Sequence, residues 1–581
     1  MRNCRIERRR RPRPHFAAWL VAAILLNVAS AAAQPIQLIP SATPTPANPS
    51  SVAPPQSLEG GEQIQVSPLA PVDTSWTGVL GAAKGGFPHD MWNGANRRFV
   101  AAALPQLQPV TSPELTSLAR RLLLSDAAAP APAGNADAAA GPKLLAERID
   151  RIYALGFVHD GLALIESLPD TVVTEPIDRD RIELRFATND TTGACNDVAA
   201  RIDRYTGAWW ARALIACQAL AGDFAKASLG QSLLADQKTP PDPEFDALIR
   251  LLSEHGAARL ARLGDPTPLR VTLLAAAKRP LPAEAIAVAD PAALVGYAGN
   301  GSVPADDRLA AGERAEALGV LPPPDLAALY GAIDFKSEEL ERARRSIRPP
   351  ATARDRALLY VLAKSGSDFA VRTNAIETLA ADAQKRGVFV PEAAVLAPVL
   401  ADIPSANADP KFAGVAARIL LATGDAADAK PWVSAAGDKT TLLLSLIATP
   451  GVPRVDASVV RDAAAAAGDA AAGSRAGLIY VLLTALGDDP ATLADLTPAA
   501  LTAPATPGAL PNAALWDEQQ RAAANAQLGA TVLASILIAE SDGRLTSESL
   551  LLGRAIAGLR AVDLDNDAHA LALEAALDAG I

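Results

Sequence analysis

CNDVAARIDRYTGAWWARALIACQALAGDFAKASLGQSLLAD, residues 195–236, decides the fold. Its apolar text is interrupted at Thr206–Gly207 and again at Gly222–Asp223, so it reads as two antiparallel helices followed by a third. Cys195 and Cys217 each lie eleven residues from Thr206. If both flanks are helical, the two sulfurs stand at the same height of one hairpin. Facing helix axes lie about 8–10 Å apart, which brings inward Cβ atoms within disulfide reach. Cys195 and Cys217 are therefore candidates for a disulfide. The other reading is two small buried apolar side chains that never meet.

Outward from this stretch, the composition points the same way. Of 581 residues 50% are hydrophobic but only 4% aromatic, and glycine and proline are frequent, at 39 and 46. Alanine is the best helix former and supplies little volume, so such a chain favours many short, closely packed helices over one thick core. The formal charge is −11; seven arginines and one glutamate fall within residues 1–13, which leaves −17 on the remainder. An acidic body repels phosphate backbones and argues against nucleic acid as a partner.

Those arginines precede an apolar run, FAAWLVAAILLNV, closed by small residues. The pattern predicts a secretory signal peptide over residues 1–33 with cleavage after Ala33 and a periplasmic or secreted product; the alternative is an inner-membrane anchor formed by residues 16–33. Export places Cys195 and Cys217 where disulfides persist. Residues 34–74 are proline-rich and read as a disordered tether. Residues 75–126 read as a short helical hairpin, with Trp76, Phe87, Met91, Trp92 and Arg97 as its aromatic cluster. We expect this cluster to be either an interaction patch or a cap packed on the next hairpin. Residues 127–141 are an Ala/Pro linker.

From residue 142 to 581 one grammar recurs: apolar helical text punctuated by Gly-Asp at Gly222–Asp223, Gly264–Asp265, Gly424–Asp425, Gly437–Asp438, Gly468–Asp469 and Gly487–Asp488. Glycine closes one helix in the left-handed conformation and aspartate caps the next. Sub-breaks are expected near 289–307 and 501–512. In WARALIACQALAGDFAKASLGQSLL, residues 210–234, the aromatic start, Leu214, the Gly-Asp turn, Phe224 and Ala227 resemble a tetratricopeptide-like repeat. The 42 and 44 residues from Gly222 to Gly264 and from Gly424 to Gly468 depart from that repeat's constant length. The resemblance implies an all-α fold, an α-solenoid of antiparallel helix hairpins with a concave face, and no particular binding residues.

Chemistry is harder to find. Asp563, Asp565, Asp567 and Glu574 have the spacing of a calcium loop, but Ala568 stands where the sharp turn needs glycine, so acidic capping of a helix is the better reading. His89, His159, His255 and His569 are scattered, and nucleotide and serine-hydrolase motifs are missing. We nominate no catalytic residue, no cofactor and no metal ligand. Trp209 and Trp210 beside Arg212 are candidates for stacking on a sugar ring, although adjacent helical positions diverge by about 100°, so at most one is available.

The first functional expectation is an exported non-enzymatic scaffold that holds an envelope protein in its groove, touching membrane only through an uncleaved N-terminus. The alternative is an enzyme or accessory subunit acting on cell-wall or exopolysaccharide glycans, since helical superhelices also form the arms of lytic transglycosylases and the toroids of polysaccharide lyases. A cleft gathering a carboxylate with Tyr, His or Arg separates the two.

Overall fold

The computed structural model describes residues 73–581, apart from 133, 135–139, 255–259, 367, 452–454, 467 and 501–511. The predicted signal peptide and anchor, nearly all of the tether, part of the Ala/Pro linker and the break near 501–512 lie outside the described residues. The chain from Pro71 to Ile581 forms one compact unit. It is all-α, built of antiparallel helix hairpins, and its one two-stranded sheet among the described residues pairs Glu540–Ser541 with Arg544–Leu545. No described helix is long and apolar enough to cross a membrane.

The Gly-Asp grammar is visible in the backbone. Every glycine of the six pairs except Gly264 has a positive φ. Asp223 and Asp438 cap their helices by accepting from the N–H groups of Lys226 and Thr441, but the expected cap is not made at the other four pairs. Asp425 makes no cap bond, Thr267 and Asp489 stand at the N-cap in place of Asp265 and Asp488, and Asp469 lies inside its helix after Gly468. Within the expected sub-break at 289–307, Pro291–Gly299 is nevertheless a helix, because proline at its first position lacks only an N–H that has no intrahelical partner there, and the non-helical text is confined to residues 289–290 and 300–304.

In the quoted stretch, Thr191–Arg201 and Ala208–Leu220 form the hairpin. Cys195 and Cys217 are joined, with an S–S distance of 2.09 Å and Cα atoms 5.5 Å apart. Phe224–Asp236 follows as the third helix.

The aromatic cluster does not form a surface patch. Trp76, Phe87, Met91, Trp92 and Arg97 are all at most 4% exposed. Trp76 meets Trp92 edge to face with centroids 4.6 Å apart, the Arg121 guanidinium lies 4.3 Å over Phe87, and Arg97 pairs with Asp73 at 2.6 Å. The physical reason is a partner supplied from the far end of the chain. The Gly529 N–H donates to the Met91 carbonyl at 2.8 Å, and a Cβ on Gly529 would stand 2.7 Å from the Trp92 ring, so only glycine lets the Leu528–Ala539 helix come this close.

The two ends of the described array therefore meet. Pro113–Leu124 packs against both Leu528–Ala539 and Asp565–Asp578, and Arg121 pairs with Asp567. The Asp565–Asp578 helix is buried along most of its length and also packs on Phe389–Leu400, Pro410–Ala422 and Lys439–Ile447.

Arg148, on the Gly141–Ala154 helix, keys the aromatic cluster to the array. It is fully buried, and it donates to the carbonyls of Leu123 (2.6 Å), Ser75 (3.2 Å), Thr77 (2.8 Å) and Ser125 (3.5 Å) while lying 4.9 Å over Trp76. Replacing it would leave these acceptors unpaired, at roughly 1–3 kcal/mol for each that water cannot reach. We expect Arg148→Met to lower unfolding free energy by roughly 3 kcal/mol in urea titrations, whereas Arg354→Met, on an exposed ion pair with Asp306, should change it by under about 1 kcal/mol. Likewise, Cys195→Ser with Cys217→Ser should lower stability by up to about 3 kcal/mol, and added reductant should do the same to the unaltered chain but not to the double variant.

Candidate functional site

One face of the Glu175–Ala187 helix carries Pro176, Arg179, Asp180 and Glu183, spaced to align within two turns. Asp150 and Tyr153 reach the same space from the last turn of Gly141–Ala154, and Trp209 and Arg212 from the first turn of Ala208–Leu220. Asp265 and Thr267 precede the Pro268–Ala276 helix, which adds Arg270, and Asp290 stands at the head of Pro291–Gly299. Together these residues line a cleft of about 370 Å³. Four of these helices begin at the cleft and Gly141–Ala154 ends there.

Polar groups in the cleft are held in definite arrangements. Asp290 makes no cap hydrogen bond to its own helix; its Oδ2 accepts from the Tyr153 hydroxyl at 2.6 Å. Asp242, capping Pro243–Ser253, accepts from Arg270 at 2.6 Å and lies 3.8 Å from Arg212, whose Nη2 donates to the Pro240 carbonyl at 2.7 Å. Arg179 lies 5.0 Å over the Trp209 ring. The Leu269 N–H donates to Glu183 Oε2 at 2.9 Å. Asp180 Oδ2 is buried and has no partner.

Burial dominates the titration of these acids. It pushes Asp180 up to about 8, with Asp150 adding and Arg179 opposing. It pushes Glu183 up to about 7, against the Leu269 N–H and the Trp209 indole. Asp290 is raised by burial in spite of the Tyr153 hydroxyl, and Tyr153 is itself raised well above its usual range by burial and the surrounding carboxylates. At neutral pH Asp180 is mostly protonated and able to donate, while the more exposed Asp265 lies on the same cleft wall 3.5 Å from Arg270.

Of the residues singled out in the sequence, Trp209 and Arg212 line this cleft. Trp210 is 1% exposed and its Nε1 donates inward to Glu175 at 2.9 Å, so the adjacent pair divides between core and cleft. The disulfide of Cys195 and Cys217 lies in the hairpin that bears Trp209. Trp76, Phe87, Met91, Trp92 and Arg97 belong to the separate N-terminal core. Asp565, Asp567 and Glu574 do not form a calcium loop: they lie on one continuous helix, where Asp567 pairs with Arg121 and Glu574 accepts from the Glu114 N–H at 3.3 Å. His569 Nδ1 lies 2.7 Å from the Ile447 carbonyl, and His255 lies outside the described residues. No group of three or more His, Cys, Asp or Glu among the described residues is arranged to hold a metal ion.

Sequence reasoning missed Asp150, Tyr153, Asp180, Glu183 and Asp290. The one available signal was EPIDRDRIELRF, residues 175–186, whose charges occupy more of the helix than a single solvent face requires. Comparisons with protein-family models, with curated proteins and with solved structures return no match.

The raised carboxyls carry a stability signature. A group whose folded pKa exceeds its unfolded value contributes stability that is complete below the unfolded pKa and lost as pH rises through the folded one. For Asp180 and Glu183 this window runs from about 4 to about 8. Thermal midpoints should therefore fall from pH 5 to pH 8, and Asp180→Asn should make that decline shallower by about one proton's worth of slope.

Proposed function

We propose that this chain is an exported protein of the bacterial cell envelope whose cleft binds a glycan and supports its acid-assisted cleavage. The observation that carries this reading is Asp180, a buried, mostly protonated acid with a free oxygen, in one cleft with the half-buried ring of Trp209. An aromatic face and a rim of fixed planar donors and acceptors suit a sugar ring, which presents an apolar face and a girdle of hydroxyls. A protonated carboxyl is the group that glycosidic oxygen needs as a general acid, and a second carboxylate across the cleft is the usual companion. Asp265, on the same cleft wall, is the residue we assign to that second role.

Charge narrows the substrate. Asp150, Asp180, Glu183, Asp265 and Asp290 face Arg179, Arg212 and Arg270, and Arg212 and Arg270 are already engaged by Asp242. With Arg212 and Arg270 engaged, the cleft has little free positive charge to hold a uronate carboxylate, so neutral or N-acetylated cell-wall glycans are the favoured class.

The scaffold reading keeps one observation of its own. On Phe224–Asp236, Leu229 and Leu233 are 60% and 51% exposed at i, i+4 spacing, an apolar stripe of the kind that meets a partner helix. An envelope protein is the partner that this stripe would serve.

Soluble fragments of N-acetylated cell-wall glycan test the main proposal. We expect binding by calorimetry that Trp209→Ala weakens at least about tenfold, and slow release of reducing ends that Asp180→Asn reduces by about a hundredfold with little change in affinity. Binding without cleavage would reduce the reading to a carbohydrate-binding module, and indifference to both substitutions would remove it.

A further inference from the structure

A second cavity, of about 480 Å³, lies where the Pro113–Leu124 helix faces the turns around Phe157 and Val320 and the start of Phe389–Leu400. Its walls are largely apolar, supplied among others by Phe157, Val158, Val295, Val320 and Pro391. Its size falls within the range of small-molecule sites. Two acids line it, Asp160 at the rim, held by Arg120, and Glu316 in the wall. Glu316, on Ala305–Ala317, is 3% exposed, and its Oε2 is buried without a hydrogen-bond partner.

The nearby cations are committed elsewhere. Arg356 grips Glu313 through two bonds, of 2.8 and 2.6 Å, and the Tyr330 hydroxyl adds a third at 2.8 Å. Arg386 donates to Glu392 at 2.6 Å and to Asp382 at 2.7 Å. At the rim, Arg120 holds Asp160 with bonds of 2.7 and 2.9 Å, and His159 is exposed beside them. Glu316 is therefore an acid in an apolar cavity with no counter-charge of its own. Such an acid costs free energy unless it is protonated or paired.

We propose that this cavity is a binding site for a small amphipathic amine, its ammonium group against Glu316 and its apolar body on the Phe157, Val158, Val295 and Val320 wall. The ammonium supplies the charge that the fold omits, and the low-dielectric walls make the pairing selective over a neutral ligand of the same shape. Burial, with Glu392 and Glu313 adding and Arg386 opposing, pushes Glu316 up to about 8. Binding an ammonium ion thus releases the Glu316 proton to solvent, and affinity rises with pH by about tenfold per unit until Glu316 is ionised. This site is separate from the glycan cleft, and its fate does not depend on that reading.

Calorimetry with 2-phenylethylamine, 2-phenylethanol and phenylacetate on the purified full-length chain tests it. We expect the amine to bind at least about tenfold more tightly than the alcohol at pH 8, phenylacetate not to bind, and the preference for the amine to weaken toward pH 6. Glu316→Gln should abolish the preference and its pH dependence while leaving the alcohol's affinity unchanged. Val320→Trp, which fills the cavity and leaves Glu316 in place, should abolish binding of both. Equal binding of amine and alcohol, a preference that survives in Glu316→Gln, binding that survives in Val320→Trp, or no binding of the amine at millimolar concentration would each overturn the proposal.

Discussion

The buried guanidinium of Arg148 is the contact on which the rest of the molecule depends. A charged group removed from water costs several kcal/mol unless its donors are met, and here four backbone carbonyls and the Trp76 face meet them. The carbonyls belong to the N-terminal segment and to the end of the Pro113–Leu124 helix, whereas Arg148 belongs to the first helix of the array. One side chain thus joins three segments and sets how Gly141–Ala154 is turned about its axis. Burial lowers its pKa to about 9, still well above neutrality, so the charge persists. Asp150 and Tyr153 follow on the same helix, and their aim into the cleft is inherited from that rotation.

Closure of the array is the second constraint. Tetratricopeptide-like hairpins stacked in an open superhelix expose a terminal apolar face, which requires a polar capping repeat. Here the described ends cover each other, Trp92 against Gly529 and Arg121 against Asp567. This is why a cluster rich in aromatics is interior, and why the Asp565–Asp578 helix tolerates being apolar on most sides. The same enclosure removes several acids from water. Glu574 is pushed up to about 8 by burial, as Asp180 is in the cleft, so the fold carries buried carboxyls in protonated form at more than one place.

Much of the architecture was legible because it is written in short-range terms. Gly222–Asp223 and Gly437–Asp438 act through φ preference and a side chain that reaches its own helix start, both decided within a few residues. The pairing of Cys195 with Cys217 was accessible for the same reason, since one turn and two helical lengths bring them level. Gly264 shows the limit: the same dipeptide reads alike, but Glu244 accepts its N–H at 2.8 Å and the backbone there stays out of the left-handed region. The cleft was illegible for a related reason. Asp180 and Glu183 are indistinguishable in the text from solvent-facing acids of an amphipathic helix, and only packing against Gly141–Ala154, Pro268–Ala276 and Pro291–Gly299 turns them inward.

By itself, the amino-acid sequence determined the helical class, the hairpin grammar and the pairing distance of the cysteines, because helix propensity, capping and turn geometry are local energies. Tertiary structure alone decided which of Trp209 and Trp210 meets the cleft, that the aromatic cluster is core, and which carboxyls lose their water. Those outcomes depend on desolvation, and desolvation is set by neighbours that arrive from tens of residues away, as Leu269 does on Glu183, to hundreds, as Gly529 does on Trp92.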